Sequence, residues 1–386
     1  MPTRNNAVRL LIGDLIHDDW ESYEVDSDLL IPADAWRVTL SLRDGQLPDA
    51  VIPGASVKVM VGDDPVMVGR IDEVSADIAK DGARFNISGR DGAAVLLDCS
   101  SPIFTARMVG LAEVVAKVVR PLGVTVQEIK GASRRKEKIN VEPGETAWET
   151  LTNAAEANGL WPWFEPDGTL VVGGPDYDQA PVAKLVLRTN GRDNNVLHLA
   201  RRVSIQGRYS HVTVLGQKHG TDIEQGKHAL QATEVDDGVR WYRPKVIVDY
   251  EAESEAVCRS RAKKLLLDSR LKGFSLFAQV VGHRIVAPGQ PTDGLLWKPG
   301  QRVHVISERH GIDAVFFLMA RKFTGGRQQA ARTQLELKED RTWVLEAHPH
   351  KKNHRLGKNA APLEVRDLSK GSWQAAVDKY YKDKVK

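Results

Sequence analysis

Trp36, Val38, Leu40 and Leu42 alternate with polar Arg37, Thr39 and Ser41, the two-residue period of a strand with one buried face. Val57, Val59 and Val61 repeat the pattern, Gly62-Asp63-Asp64-Pro65 turns the chain, and an apolar run over 66–71 precedes a second turn at Lys80-Asp81-Gly82. The first hundred residues therefore predict short antiparallel strands. Near Thr105 the period becomes helical: Leu111, Val114, Val115 and Val118 share one face, and Pro121 and Gly123 end it. A second helix starts at Thr146, where Thr-Ala-Trp-Glu forms a capping box in which Thr146 and Glu149 satisfy each other's exposed N–H groups. Trp148, Leu151 and Ala155 make its apolar stripe, and Asn158-Gly159 supplies a left-handed stop.

An aromatic hairpin follows over 160–172, turning at Pro166-Asp167-Gly168. Strand patterning resumes over 182–187 and 202–215, where Val203, Ile205, Val212 and Val214 suggest a return to the first β domain. A long helix is expected over 254–271, closed by Gly273.

Two stretches of the chain resemble each other. Pro53-Gly54-Ala55-Ser56-Val57-Lys58-Val59 matches Pro299-Gly300-Gln301-Arg302-Val303-His304-Val305. Each leads through a polar turn to an apolar strand ending in a basic residue, Arg70 or Arg321. A further turn then precedes an alternating strand, 85–91 or 333–341. Such spacing fits a duplicated β domain; it equally fits two unrelated β-meanders, which share Pro-Gly turns and alternating valines. A duplication would let three chains around an axis display six related domains.

The expected fold class is α+β, mainly β: two similar small antiparallel β-barrel domains plus an inserted α+β domain. The first barrel would span 1–105 and be completed by part of 176–235. The insert would occupy 106–175, the second barrel 236–345, and a basic tail with a short helix 346–386.

The length of 386 residues suits several cores. The 54 basic and 51 acidic side chains nearly cancel, so no global field gathers nucleic acid and any DNA contact must be local. Cys99 and Cys258 form no CxxC pair, against a disulfide scaffold or zinc ribbon; both are expected as reduced core residues. The apolar run at 7–12 is too short for a signal core, and no stretch approaches the roughly 20 apolar residues of a membrane span. Synthesis in a cytoplasm is expected.

The chain contains no G-x-S-x-G elbow, H-E-x-x-H helix or paired metal-ligand cysteines. The glycines at 220 and 226 are misplaced for a phosphate loop, and His228 stands where a magnesium-binding hydroxyl belongs. His348, His350 and His354 lie among Lys351, Lys352 and Arg355, whose charges oppose a metal cation. No cofactor, metal or catalytic residue is expected. The carboxylates Glu145 and Glu149 leave a wall-degrading hydrolase as an alternative, and Trp161, Trp163 and Phe164 leave a carbohydrate-binding β module. In the tail, Ser372 can cap a helix carrying Trp373, Ala376, Val377 and Tyr380 on one face. That face packs on its own chain, or Trp373, Tyr380 and Tyr381 anchor a partner. Arg134, Arg135 and Lys136 are the candidate DNA contacts.

The segment Ile87-Ser88-Gly89-Arg90-Asp91-Gly92 through Leu97-Asp98-Cys99-Ser100 resembles a characteristic stretch of the Mu-like tail protein family, related to late control protein D and to the baseplate hub proteins of contractile-tailed phages. The resemblance continues through Val141-Glu142-Pro143-Gly144-Glu145-Thr146-Ala147-Trp148-Glu149, the 158–168 hairpin and 299–341, covering roughly 7–345. It implies a structural, non-enzymatic hub: a homotrimeric torus whose paired barrels give a quasi-sixfold face. That face would meet the tail tube, with the trimeric spike opposite, adjacent baseplate proteins around it, and DNA passing through the centre. The expected location is the virion tail baseplate. The resemblance does not extend beyond about Glu346.

Overall fold

The computed structural model describes residues 6–42, 46–80, 82–131, 136–141, 144–218, 227–249, 252, 254–345 and 366–367. The chain is mainly β and divides into two compact units. One comprises Met1–Gly92, Phe164–Gly168 and Pro175–Val344; the other comprises Ala93–Trp163, Thr169–Gly174 and Leu345–Lys386.

The larger unit starts with β1 (Val8–Ile12), β2 (Leu15–His17), β3 (Ser22–Asp28), β4 (Ala35–Leu42), β5 (Ser56–Val61), β6 (Asp64–Ala79) and β7 (Gly82–Asp91). The smaller unit follows with α1 (Ala93–Asp98), β8 (Phe104–Val109), α2 (Leu111–Val119), β9 (Gln127–Ile129), β10 (Lys136–Asn140), α3 (Ala147–Glu156), β11 (Trp161–Phe164) and β12 (Leu170–Gly173). The chain then re-enters the larger unit through β13 (Ala183–Leu187), β14 (His198–Val203), β15 (His211–Lys218), β16 (Lys227–Val235), β17 (Pro244–Asp249), α4 (Glu255–Lys272), β18 (Phe274–Val281), β19 (Arg302–Ser307), β20 (Ile312–Gly325) and β21 (Arg332–Glu339). A two-residue β22 (Arg366–Asp367) pairs with β8.

In the smaller unit, α2 buries Leu111, Val114, Val115 and Val118. The α3 capping box forms as its sequence dictates: Glu149 N–H donates to Thr146 Oγ1 at 3.2 Å, and Thr146 N–H donates to Glu149 Oε2 at 2.9 Å. Those two bonds satisfy donors that a helix start otherwise leaves open. The Thr146 N–H bond, and after it one from the Thr146 hydroxyl to Glu149 Oε2 at 2.9 Å, hold the Glu149 carboxyl below its ordinary range. Trp148, Leu151 and Ala155 are buried, and Gly159 takes the left-handed φ of 71° after the helix.

In the larger unit, 13 strands form one sheet, whose main order is β14-β18-β21-β20-β3-β4-β7-β6-β5-β1-β2, with β19 pairing β20 and β13 pairing β19. Alternation places Val25, Trp36, Val38, Val57, Val59 and Val61 in the same core as Leu276, Val303, Val305, Leu318, Phe323 and Leu337. β15, β16 and β17 form a separate three-stranded sheet. Cys258, Ala262 and Leu266 of α4 pack there against Val212, Val214 and Ala232. Cys258 is buried and Cys99 half-buried, both as free thiols.

Three expectations need correction. The two predicted barrels are not separately closed among the described residues: β3 hydrogen-bonds to β20, so the two halves share one sheet. Residues 176–235 do not complete the first half. β13 pairs with β19 and β14 with β18, because Leu185 and Leu199 fill the core beside those strands. Finally, the apolar strands do not stop at Arg70 and Arg321; they run on to Ala79 and Gly325. Arg321 is only 5% exposed, since its guanidinium finds partners inside the fold.

Candidate functional site

The sheet of the larger unit is built twice from the same plan. The first half runs β1-β5-β6-β7-β4-β3 and the second β13-β19-β20-β21-β18-β14. Local details repeat with it. Gly54 and Gly300 take φ values of 88° and 94°, a left-handed conformation that glycine adopts without a Cβ clash. Gly54 N–H donates to Ile71 O at 2.8 Å, and Ile71 N–H returns to Ala55 O at 3.0 Å. In the second half Gly300 N–H donates to Leu318 O at 2.8 Å, and Leu318 N–H returns to Gln301 O at 2.8 Å.

A bulge follows in each copy, between Ile71 and Glu73 against β7 and between Leu318 and Ala320 against β21. A bulge bends its strand and re-aims the residues after it, so the far ends of β6 and β20 leave their hairpins in the same way. The copies differ at the strand beside β5 and β19: β1, with β2 beyond it, runs antiparallel to β5, whereas β13 runs parallel to β19.

The seam between the halves is the pairing of β3 with the far end of β20, from Ala320↔Asp28 to Gly325↔Tyr23. Arg321 Nη1 donates to Val25 O at 3.1 Å, and its guanidinium lies 4.0 Å from the centre of the Phe323 ring. Burial lowers its pKa, opposed by the neighbouring charges of Asp34 and Asp26. Burial conversely raises the Asp34 carboxyl, opposed by a hydrogen bond from Ser27 and by Arg321. Asp28 N–H donates to Asp34 Oδ1 at 3.0 Å and Ala35 N–H to Asp26 Oδ1 at 2.9 Å. At the rim, Lys322 Nζ donates to Glu24 Oε1 at 2.6 Å.

A second polar chain crosses between the halves beside the seam. Thr333 Oγ1 donates its proton to Gly282 O at 2.6 Å. It must therefore accept from His283 Nδ1–H, 3.2 Å away, which leaves His283 Nε2 to accept from the Tyr23 hydroxyl at 2.8 Å. His283 is 0% exposed, and burial pushes its pKa down to about 3, with help from Arg321. The imidazole is therefore neutral and structural at neutral pH.

A cavity of about 350 Å³ at the seam is lined by Asp26, Asp34, Phe277, Arg321, Gln334 and Glu336 among others. Its acids are already engaged: Asp26 and Asp34 bond the backbone, and Glu336 accepts from Ser275 Oγ at 3.0 Å. Ser27, which also lines the cavity, donates to Asp34, whose carboxyl is already held by the Asp28 N–H. Among the described residues no group of three or more His, Cys, Asp or Glu could hold a metal, and no helix is long and apolar enough to cross a membrane.

Trp373, Tyr380 and Tyr381, with Arg134 and Arg135, fall outside the described residues, as do His348, His350 and His354. Lys136 opens β10. Glu145 accepts from Asn153 Nδ2 at 3.0 Å. No sequence signal groups the seam residues Tyr23, His283 and Arg321; 260 residues separate Tyr23 from His283, and only the duplicated pattern points toward such a junction.

Family models match the chain in four successive segments. They describe a Mu phage baseplate assembly protein GpP-like N-terminal domain over 7–91 and a baseplate hub protein gp44-like second domain over 93–174. An NMB1110-like tail protein third domain covers 208–266 and a tail protein C-terminal domain 268–342. The baseplate hub protein gp44 of Escherichia phage Mu is 23% identical over 393 residues, covering 98% of this chain and 97% of that protein. The crystal structure of a tail protein from Neisseria meningitidis MC58 is 37% identical with a TM-score of 0.77, covering 89% of this chain and 99% of that one. A 43 kDa tail protein of prophage MuSo2 from Shewanella oneidensis shares the fold, at 22% identity and a TM-score of 0.75 over 87% of this chain and 99% of that one.

Proposed function

Since the chain belongs to the Mu-like phage and prophage tail protein family, as a structural baseplate hub protein and not an enzyme, we propose that it acts as a homotrimeric collar. The collar joins a threefold spike to a sixfold tail tube and lets DNA pass through its centre. The observation that carries this reading is the duplicated half-sheet, with its repeated turns and bulges. Two similar halves per chain give three chains six similar positions, which is the geometry a symmetry adapter needs. The seam suits a load-bearing part, because the hydrogen-bonded pairing of β3 with β20 resists sliding.

In this reading the partners are the other two copies, the spike, and the tube or adjacent baseplate proteins. Trp373, Tyr380 and Tyr381 are the proposed partner anchors, and Arg134, Arg135 and Lys136 the proposed phosphate contacts along the DNA path. The protein is made in the host cytoplasm and ends in the virion tail. Light scattering and negative-stain microscopy of the purified chain test the collar: the expected particle has three times the chain mass and a ring outline with six similar lobes. A monomer at every concentration, with no incorporation into tails, overturns it.

A further inference from the structure

The seam inside one chain is a template for contacts between chains. In the second half β20 has both long edges occupied: β19 covers its first part, and β3 covers Ala320–Gly325 on the same side. In the first half β5 covers the corresponding first part of β6, but no described strand covers residues 73–78 on that side. The counterpart of β3 in the second half is β14, which pairs with β18 on one edge and with no described strand on the other. One half thus lacks the strand that the other half has to spare.

We propose that β14 of one copy adds antiparallel to the far end of β6 of the next, reproducing the β3·β20 seam between chains. This rests on the collar reading and names the surface that closes it. The internal repeat fixes the register. Phe323 opposes Val25, and Ala76 and Arg201 are their equivalents, because both halves keep the same partners across β7·β4·β3 and β21·β18·β14. Copying the seam therefore sets Glu73 opposite Ser204, Ser75 opposite Arg202 and Ile78 opposite Leu199.

Chemistry supports that register. On one face Arg202 falls between Glu73 and Asp77, each a diagonal neighbour within reach of a long side chain. The diagonal from Arg202 to Glu73 runs in the same sense as the one that Lys322 and Glu24 use inside the chain. On the other face Ile78 and Val203, 73% and 68% exposed in the single chain, gain apolar neighbours in Leu199 and Val74. Slipping by one residue would separate the acids from Arg202 and expose the apolar pair again. Charge also selects the pairing. The β6 edge carries Asp72, Glu73 and Asp77, and β14 carries Arg201 and Arg202, so like edges repel and unlike edges attract. A contact between two different edges is head-to-tail, the type that closes rings.

The test is a cross-strand disulfide in a Cys99→Ala background of the full chain. Residues directly opposite have Cα atoms roughly 4.5–5.5 Å apart, within disulfide reach, whereas a two-residue diagonal is about 7–8 Å. Ser75→Cys with Arg202→Cys should give covalent dimers and trimers on non-reducing gels; Ser75→Cys with Ala200→Cys should give little. Arg202→Glu should weaken self-association by on the order of tenfold, and adding Glu73→Arg should restore it, with unchanged melting of the monomer. Trimers by light scattering without the Ser75–Arg202 cross-link overturn this pairing and leave the collar standing. Wild type and variants that all stay monomeric at every concentration overturn both.

Discussion

The neutral His283 at the seam makes the chain acid-sensitive in a calculable way. Its ordinary pKa is about 6.5, and burial lowers it to about 3 in the folded chain. Between those values the unfolded chain takes a proton that the folded chain refuses. Stability from this group is therefore complete above about pH 6.5 and is lost as pH falls toward about 3, at roughly 1.4 kcal/mol per pH unit. From pH 7 to pH 5 the loss is about 2 kcal/mol. Carboxyl groups such as Asp34 also titrate in this window, with the opposite direction of shift, so the comparison needs a variant that keeps them. His283→Gln offers an oxygen to the Tyr23 hydroxyl without titrating. Urea midpoints followed by tryptophan fluorescence, at pH 7 and at pH 5, should show wild type losing about 2 kcal/mol more than His283→Gln. An equal loss in both proteins would refute the placement of a buried neutral imidazole across the seam.

Gly54→Ala and Gly300→Ala each force an alanine into a left-handed turn with no atom nearby to clash. Each should cost roughly 1–2 kcal/mol in thermal unfolding, and matching losses would mark the two turns as equivalent. Thr146→Ala removes the cap of α3 and should cost about 1 kcal/mol, read as faster proteolysis within 93–174 with the larger unit's unfolding unchanged.

Local rules make much of this fold legible. Period places α2, and the capping box places α3, because those helix signals lie within a few residues of one another. The duplicated Pro-Gly strands are visible because both turns need the same glycine. The pairings of β13 and β14 are not legible: a strand's hydrogen-bond partner is chosen by core contacts far away in sequence, and 202–215 reads as one strand region when it contains the end of β14, a turn and most of β15. Arg321 reads as the end of a strand because a cation usually marks solvent. Only the seam supplies the carbonyl, the ring and the acids that let it lie inside. The tail anchors and the DNA-contact candidates rest on residue type alone.

The strands that flank β5 and β19, antiparallel in one half and parallel in the other, have a consequence for any assembly of three chains. Around such an assembly the six lobes would alternate in the direction from which their flanking strand arrives, although their cores agree. A neighbour touching only the cores would meet six equal footholds. One that also touched the flanks would find three of one kind and three of the other, so a single chain could serve docking partners of both symmetries without changing shape.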